Sequence, residues 1–200
     1  MFKRVYRDQP VKWLIMSALM VLVQGCATQP ATTVANASSC EGSVLLPSPL
    51  AGKFKSVDDP KLLDKAMGEP LAGGLCQGAV YQSTEEVTIY RAWNSTNPGS
   101  QFGSWWALTK PAGKTADYRK DYEICYQWSP LDKLVQCTLK VGSTVVVGNG
   151  QSAKCSDYLE YPVSEAQQVF IESASDAMLD CSGFDSMMSW QPESQGLANQ

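Results

Sequence analysis

Histidine is absent from all 200 residues of the chain. That absence removes Ser-His-Asp and Cys-His nucleophilic sites, together with His-ligated metal centres, from consideration. Charge is also sparse at 18% of residues, and the lysines and arginines are scattered. Phosphate backbones need clustered Lys and Arg, so the composition argues against nucleic acid as a partner. Long apolar runs are missing as well. The one extended apolar run, Trp13 to Val23, falls short of the roughly 20 residues a spanning helix requires. No internal repeat is visible.

That run instead completes an export signal. Lys3, Arg4, Arg7 and Lys12 precede it, and Val23-Gln24-Gly25-Cys26 closes it with small residues before a cysteine. Residues 1–25 therefore read as a secretory signal peptide. The closing four residues resemble the lipobox of bacterial lipoproteins. The resemblance implies that Cys26 becomes the lipidated first residue, carrying palmitate. Ala27, where aspartate is absent, implies outer-membrane sorting, facing the periplasm or the cell surface. Without the signal the chain holds twelve basic and nineteen acidic residues, a net charge of −7. Such a surface does not itself adhere to anionic lipid, so membrane attachment falls to the acyl chains. Residues 26–39 are small, polar and uncharged, a flexible tether. A single globular domain is expected over 40–182, followed by a mobile tail over 183–200.

With Cys26 set aside, Cys40, Cys76, Cys125, Cys137, Cys155 and Cys181 form an even set in an oxidising compartment. They read as three disulfides among fifteen possible connectivities. Tyr122 to Trp128 and Leu134 to Val141 look like two strands around Ser129-Pro130-Leu131-Asp132, which sets Cys125 opposite Cys137. Opposed residues of an antiparallel pair lie about 4.5–5.5 Å apart, within disulfide reach. The expected pairs are Cys125–Cys137, Cys40–Cys76 and Cys155–Cys181. The spacings do not suit a zinc site.

Asp58-Asp59-Pro60 supplies a cap and a first-turn proline for a helix over about 59–67. Short β pieces follow: Ala79 to Gln82, Val87 to Trp93, Ser104 to Leu108, the hairpin above, Thr144 to Val147, and Gln167 to Ser173 as a last strand. Of the adjacent Trp105 and Trp106, strand alternation sends one into the core and one toward the surface. The pattern predicts an α+β fold, a small, mainly antiparallel β domain with one or two short helices, braced by disulfides. Gly148-Asn149-Gly150-Gln151-Ser152-Ala153 spells a formal G-x-G-x-x-A. No helix signal follows it, and Asn149-Gly150 reads as a tight turn.

Val87-Thr88-Ile89-Tyr90-Arg91-Ala92-Trp93 places an arginine on the same strand face as Val87, Ile89 and Trp93. A rigidly held guanidinium offers a planar five-donor fork for phosphate or carboxylate. Tyr90 to Trp93, Gly103-Ser104-Trp105, Tyr118-Arg119, Gly150 to Ala153 and Gln168-Val169-Phe170 together resemble the ADP-ribosyltransferase-like toxin domains of polymorphic toxin systems, over residues 80–175. The resemblance implies that Arg91 anchors the diphosphate of NAD, that Ser104 and Trp105 wall the nicotinamide pocket, and that Gln168 stands at the catalytic position. That position ordinarily holds a carboxylate, and an amide cannot supply negative charge. Glu165 and Glu172 flank it.

The other reading is a non-catalytic binding module. Trp93, Trp105, Trp106, Trp128 and Trp190, with Tyr81, Tyr90, Tyr118, Tyr122 and Tyr126, supply rings for a core and for a platform that meets sugar rings or a partner protein. Its partners would be an envelope protein or a cell-wall polymer. Glu85-Glu86 and Asp117 to Glu123 read as solvated surface. Whether the chain is an enzyme stays open between these two readings, and NAD is a cofactor only under the first.

Overall fold

The computed structural model describes residues 39–186 and 190–192. The signal segment, Cys26, nearly all of the tether and most of the 183–200 stretch lie outside the described residues. The elements run in the order α1 (Ser48–Ala51), β1 (Phe54–Ser56), α2 (Pro60–Ala66), β2 (Leu75–Ser83) and β3 (Val87–Trp93). A 3-10 turn (Pro98–Phe102), β4 (Trp105–Ala107), α3 (Thr115–Asp121), β5 (Lys133–Leu139), β6 (Thr144–Gly150), β7 (Ala153–Lys154) and β8 (Glu160–Tyr161) follow. The chain continues with β9 (Gln167–Phe170), α4 (Ala174–Ala177), β10 (Met178–Ser186) and β11 (Trp190–Pro192). No helix among the described residues is long and apolar enough to cross a membrane.

The fold is α+β and mainly antiparallel. Nine strands form one sheet in the order β1-β2-β6-β9-β4-β3-β5-β10-β11, and β7 and β8 pair separately. Val87, Ile89, Val135, Cys137, Leu139, Val145, Val147, Trp106 and Val169 share one buried cluster, which the alternation of the strands collects on one face. On the other face α2 packs Leu62 and Ala66 against Val80 and Val146. Elsewhere Tyr118 and Leu131 pack on Ala92 and Leu134. The α2 helix starts as its sequence dictates, with Asp59 accepting from the Leu62 amide at 3.0 Å. The other three helices span four to seven residues, too short to leave a helical period in the sequence.

Two disulfide expectations are corrected. Cys40 joins Cys76, but Cys125 joins Cys155 and Cys137 joins Cys181. The hairpin that placed Cys125 opposite Cys137 does not form. Residues 122–128 turn rather than extend, with Glu123 at φ 48° and the Ile124 amide donating to the Arg119 carbonyl. β5 pairs instead with β3, where Ile89 faces Cys137, and with β10. The β10 register shifts between Leu179 and Ser182, a bulge that carries Cys181 beside Cys137. Cys125 is left to pack with Ala153 and Cys155. Proteolysis of the unreduced protein is expected to release Cys125–Cys155 and Cys137–Cys181 peptides. Replacing Cys125 and Cys155 by serine is expected to cost about 3–4 kcal/mol in urea unfolding, the loop-entropy scale for such a separation.

Two further readings change. The Asn149-Gly150 turn is absent, because Gly148, Asn149 and Gly150 continue β6 and pair with β2 and β9. The stretch read as a tail from residue 183 opens inside β10, which runs to Ser186 and pairs with β5 and β11. Phe184 lies opposite Leu134 in that ladder, with the Lys110 ammonium 4.1 Å above its ring. Gln167 to Phe170 is therefore an interior strand and not the last.

Candidate functional site

β3 and β4 pair at one position, Tyr90 with Ala107, and then part. Arg91 fills the opening. Its Nε donates to the Ser100 carbonyl at 2.8 Å and its Nη1 to the Trp105 carbonyl at 2.5 Å. The guanidinium thus satisfies backbone acceptors where a strand ladder would have done so. A Cβ on Gly103 would lie 2.3 Å from the Arg91 Nη2, so only glycine lets the chain pass so close. Trp106, 2% exposed, holds the same turn by donating from Nε1 to the Gly103 carbonyl at 2.8 Å.

The parting strands open a cleft of about 220 Å³. Trp93, Trp105, Trp106 and Trp128 line it with Tyr118 and Tyr122, and its polar lining residues are Arg91, Glu123, Gln168, Asn94, Asn97, Ser100 and Ser129. The loop after β3 is fixed by Asn94 and Ser100, whose backbone and hydroxyl groups bond each other at 3.2 and 3.1 Å. Asp132 accepts from the Ser95 amide and hydroxyl. Opposite, Arg119 donates to the carbonyls of Ile124 and Ser129 at 3.3 and 2.7 Å, holding residues 119–129 as a rigid turn. The Tyr118 and Tyr122 rings stack with centroids 4.4 Å apart. Burial pushes the Tyr118 phenol up to about 12, and burial raises that of Tyr122 as well.

Glu123 is the unexpected member. Read with its acidic neighbours as solvated surface, it is instead 2% exposed. Its Oε2 accepts from the Gln168 amide nitrogen at 2.6 Å, while Oε1 is buried without a partner. Desolvation raises its pKa to about 9, and the Asp121 charge adds to the rise, against the opposing hydrogen bond from Gln168. The acid is therefore neutral at pH 7. Trp93 Nε1 is the other buried side-chain polar atom without a partner among the described residues. Both orphaned atoms belong to residues that line the cleft, and such atoms are costly enough to ask for a ligand.

Arg91, Trp105 and Gln168 thus lie around one cleft. Ser104 is not among its lining residues; its carbonyl accepts from the Ile171 amide. Glu165 accepts from Asn149 Nδ2 through its carbonyl, and Glu172 pairs with Lys65 in solvent. Neither supplies a carboxyl to the cleft. The indoles surround a hollow and do not form a flat row, although Trp128 is half exposed. Glu123 escaped sequence reasoning because its neighbours are charged and its left-handed backbone has no sequence signal beyond its own identity. Gly150 held the only hint, as a glycine three residues beyond the β-branched run Thr144 to Val147. A Cβ there would lie 1.8 Å from Glu123 Oε2 and 2.5 Å from Gln168 Nε2. Gly150→Ala is therefore expected to cost about 1–3 kcal/mol by overpacking, read by urea unfolding.

A scan against protein-family models, a search of curated proteins and a search of solved structures each found no match.

Proposed function

We propose that this protein is a lipid-anchored binding module of the cell envelope, which takes a small ring-bearing ligand into the cleft at the end of β3. The observation that carries the reading is that cleft, lined by four tryptophans and two tyrosines and containing two residues with buried, unpartnered polar atoms. Concave aromatic lining with few polar groups is the usual form of a small-molecule site. The anchor would be Cys26, the tether residues 26–39, and the location the outer membrane, facing the periplasm or the surface. The ligand would be a unit of a wall polymer or of an envelope partner.

Two measurements test this. Metabolic labelling with an alkynyl palmitate should mark the protein and fail in Cys26→Ser. Co-sedimentation with purified wall sacculi should deplete the protein from solution, less so for Trp128→Ala; wild type left wholly in solution would contradict the wall-polymer reading.

One observation favours a second reading, an ADP-ribosyltransferase-like domain: Arg91 and Gln168 line the same cleft, and Glu123 brings to Gln168 the carboxyl that position lacks. Two properties oppose it. The acid is protonated at pH 7, and 220 Å³ is below the roughly 300–1,000 Å³ of sites for drug-sized ligands. Calorimetric titration with NAD decides it, with no binding expected.

A further inference from the structure

Arg91 has no acidic partner among the described residues. Its contacts are the two backbone carbonyls of Ser100 and Trp105, so three of its five N–H groups remain, on Nη1 and Nη2. The side chain is half-buried; a charge held partly out of water ordinarily has a counter-charge, and a guanidinium cannot neutralise itself by losing a proton. The one acid in the lining, Glu123, bonds the Gln168 amide and not the arginine. Because burial keeps it protonated at pH 7, it adds no negative charge. Of the two buried side-chain atoms left without a partner, the indole N–H of Trp93 is a donor and Glu123 Oε1 is one while it carries the acid proton, and the free edge of Arg91 adds further donors.

We propose that the cleft selects a single ring bearing one carboxylate, a sugar acid, with the carboxylate on the free edge of Arg91 and the ring against Trp105 and Trp128. The inference rests on the binding-module reading and names its ligand class. One guanidinium balances one carboxylate, whereas a diphosphate would bring excess charge into a site with no second cation among its lining residues. The volume has room for one ring. Indole faces suit the apolar face of a sugar.

The test is calorimetric titration of the full chain in detergent, disulfides formed, at pH 7. The probes are glucuronate, methyl glucuronide (whose blocked anomeric carbon mimics a polymer-linked unit), glucose and ADP-ribose. One of the two acids is expected to bind at least about tenfold tighter than glucose. That preference should shrink below about threefold in Arg91→Met. If Arg91→Met does not fold, salt serves on the wild type: raising NaCl should weaken the acid and leave glucose unchanged. Equal binding of glucose and the acids would overturn the inference while leaving a ring-binding module. ADP-ribose binding tighter than either acid would overturn it in favour of phosphate. No sugar binding at about 10 mM would also overturn it, and sacculus co-sedimentation would still decide the binding-module reading separately.

Discussion

Glu123→Gln is expected to make the protein more stable at pH 8, by a few kcal/mol, and to remove most of the pH dependence of its stability. The wild-type carboxyl has a pKa of about 9 when folded, against 4.5 ordinarily. Between those values the folded state holds a proton that the unfolded state has released. Stability is therefore fullest below about pH 4.5 and falls as pH rises toward 9, by at most about 1.4 kcal/mol per pH unit. Glutamine keeps an oxygen for the Gln168 amide and titrates nowhere. The chain is well suited to this measurement, because it has no histidine and the six cysteines among the described residues are paired. Few other groups titrate between pH 6 and 8.5. Urea unfolding across that window should show a steep decline for wild type and a nearly flat line for the variant. Parallel lines would mean that Glu123 is charged when folded. A buried acid that weakens the fold at neutral pH is a common mark of a site shaped for binding and not for stability.

Trp106→Ala is expected to cost about 3–5 kcal/mol, the range for removing a fully buried aromatic ring. The ring fills the core beside Val169 and Ile89, and its N–H holds the carbonyl of Gly103, the glycine that the Arg91 guanidinium passes closely on its side-chain side. Core and site should therefore fail together. Trp106→Phe keeps most of the ring and loses the N–H; it is expected to cost about 1–2 kcal/mol. Chemical denaturation of both variants, with near-ultraviolet circular dichroism to follow the aromatic environment, checks the order. A Trp106→Phe variant as stable as wild type would contradict the role given to the indole N–H.

Local rules carried the reading furthest. β3 occupies Val87–Trp93 because alternating β-branched and aromatic residues admit one interpretation. The α2 cap is a side chain bonding a backbone amide three residues on, and it is written in Asp59 and Pro60. Trp105 and Trp106 part as adjacent strand residues must, Trp106 into the core and Trp105 against Phe170 at 5.0 Å between ring centroids. What failed was pairing at a distance. Cys137 could not announce Cys181, because their contact depends on a bulge in β10 and on β5 lying between β3 and β10. Gly148 to Gly150 spell a turn locally, yet their missing side chains serve close approach by Gln77 and Glu123. Half of the cleft was visible as Arg91, Trp105 and Gln168. The other half, Glu123 and Trp128, comes from an irregular segment held by Arg119 bonding its carbonyls and by the Cys125–Cys155 disulfide, neither of which leaves a periodic pattern in the sequence.

The charge state of the cleft bears on every part of this function. It is measured most directly by carbon-13 NMR of the Glu123 carboxyl in the folded protein, assigned by comparison with Glu123→Gln and followed from pH 4 to 10. A midpoint near 9 is expected, leaving Arg91 the one charged side chain among the cleft's lining residues at neutral pH. A midpoint near 4.5 would contradict it, since an ionised Glu123 would cancel the positive charge on which recognition of an acid depends.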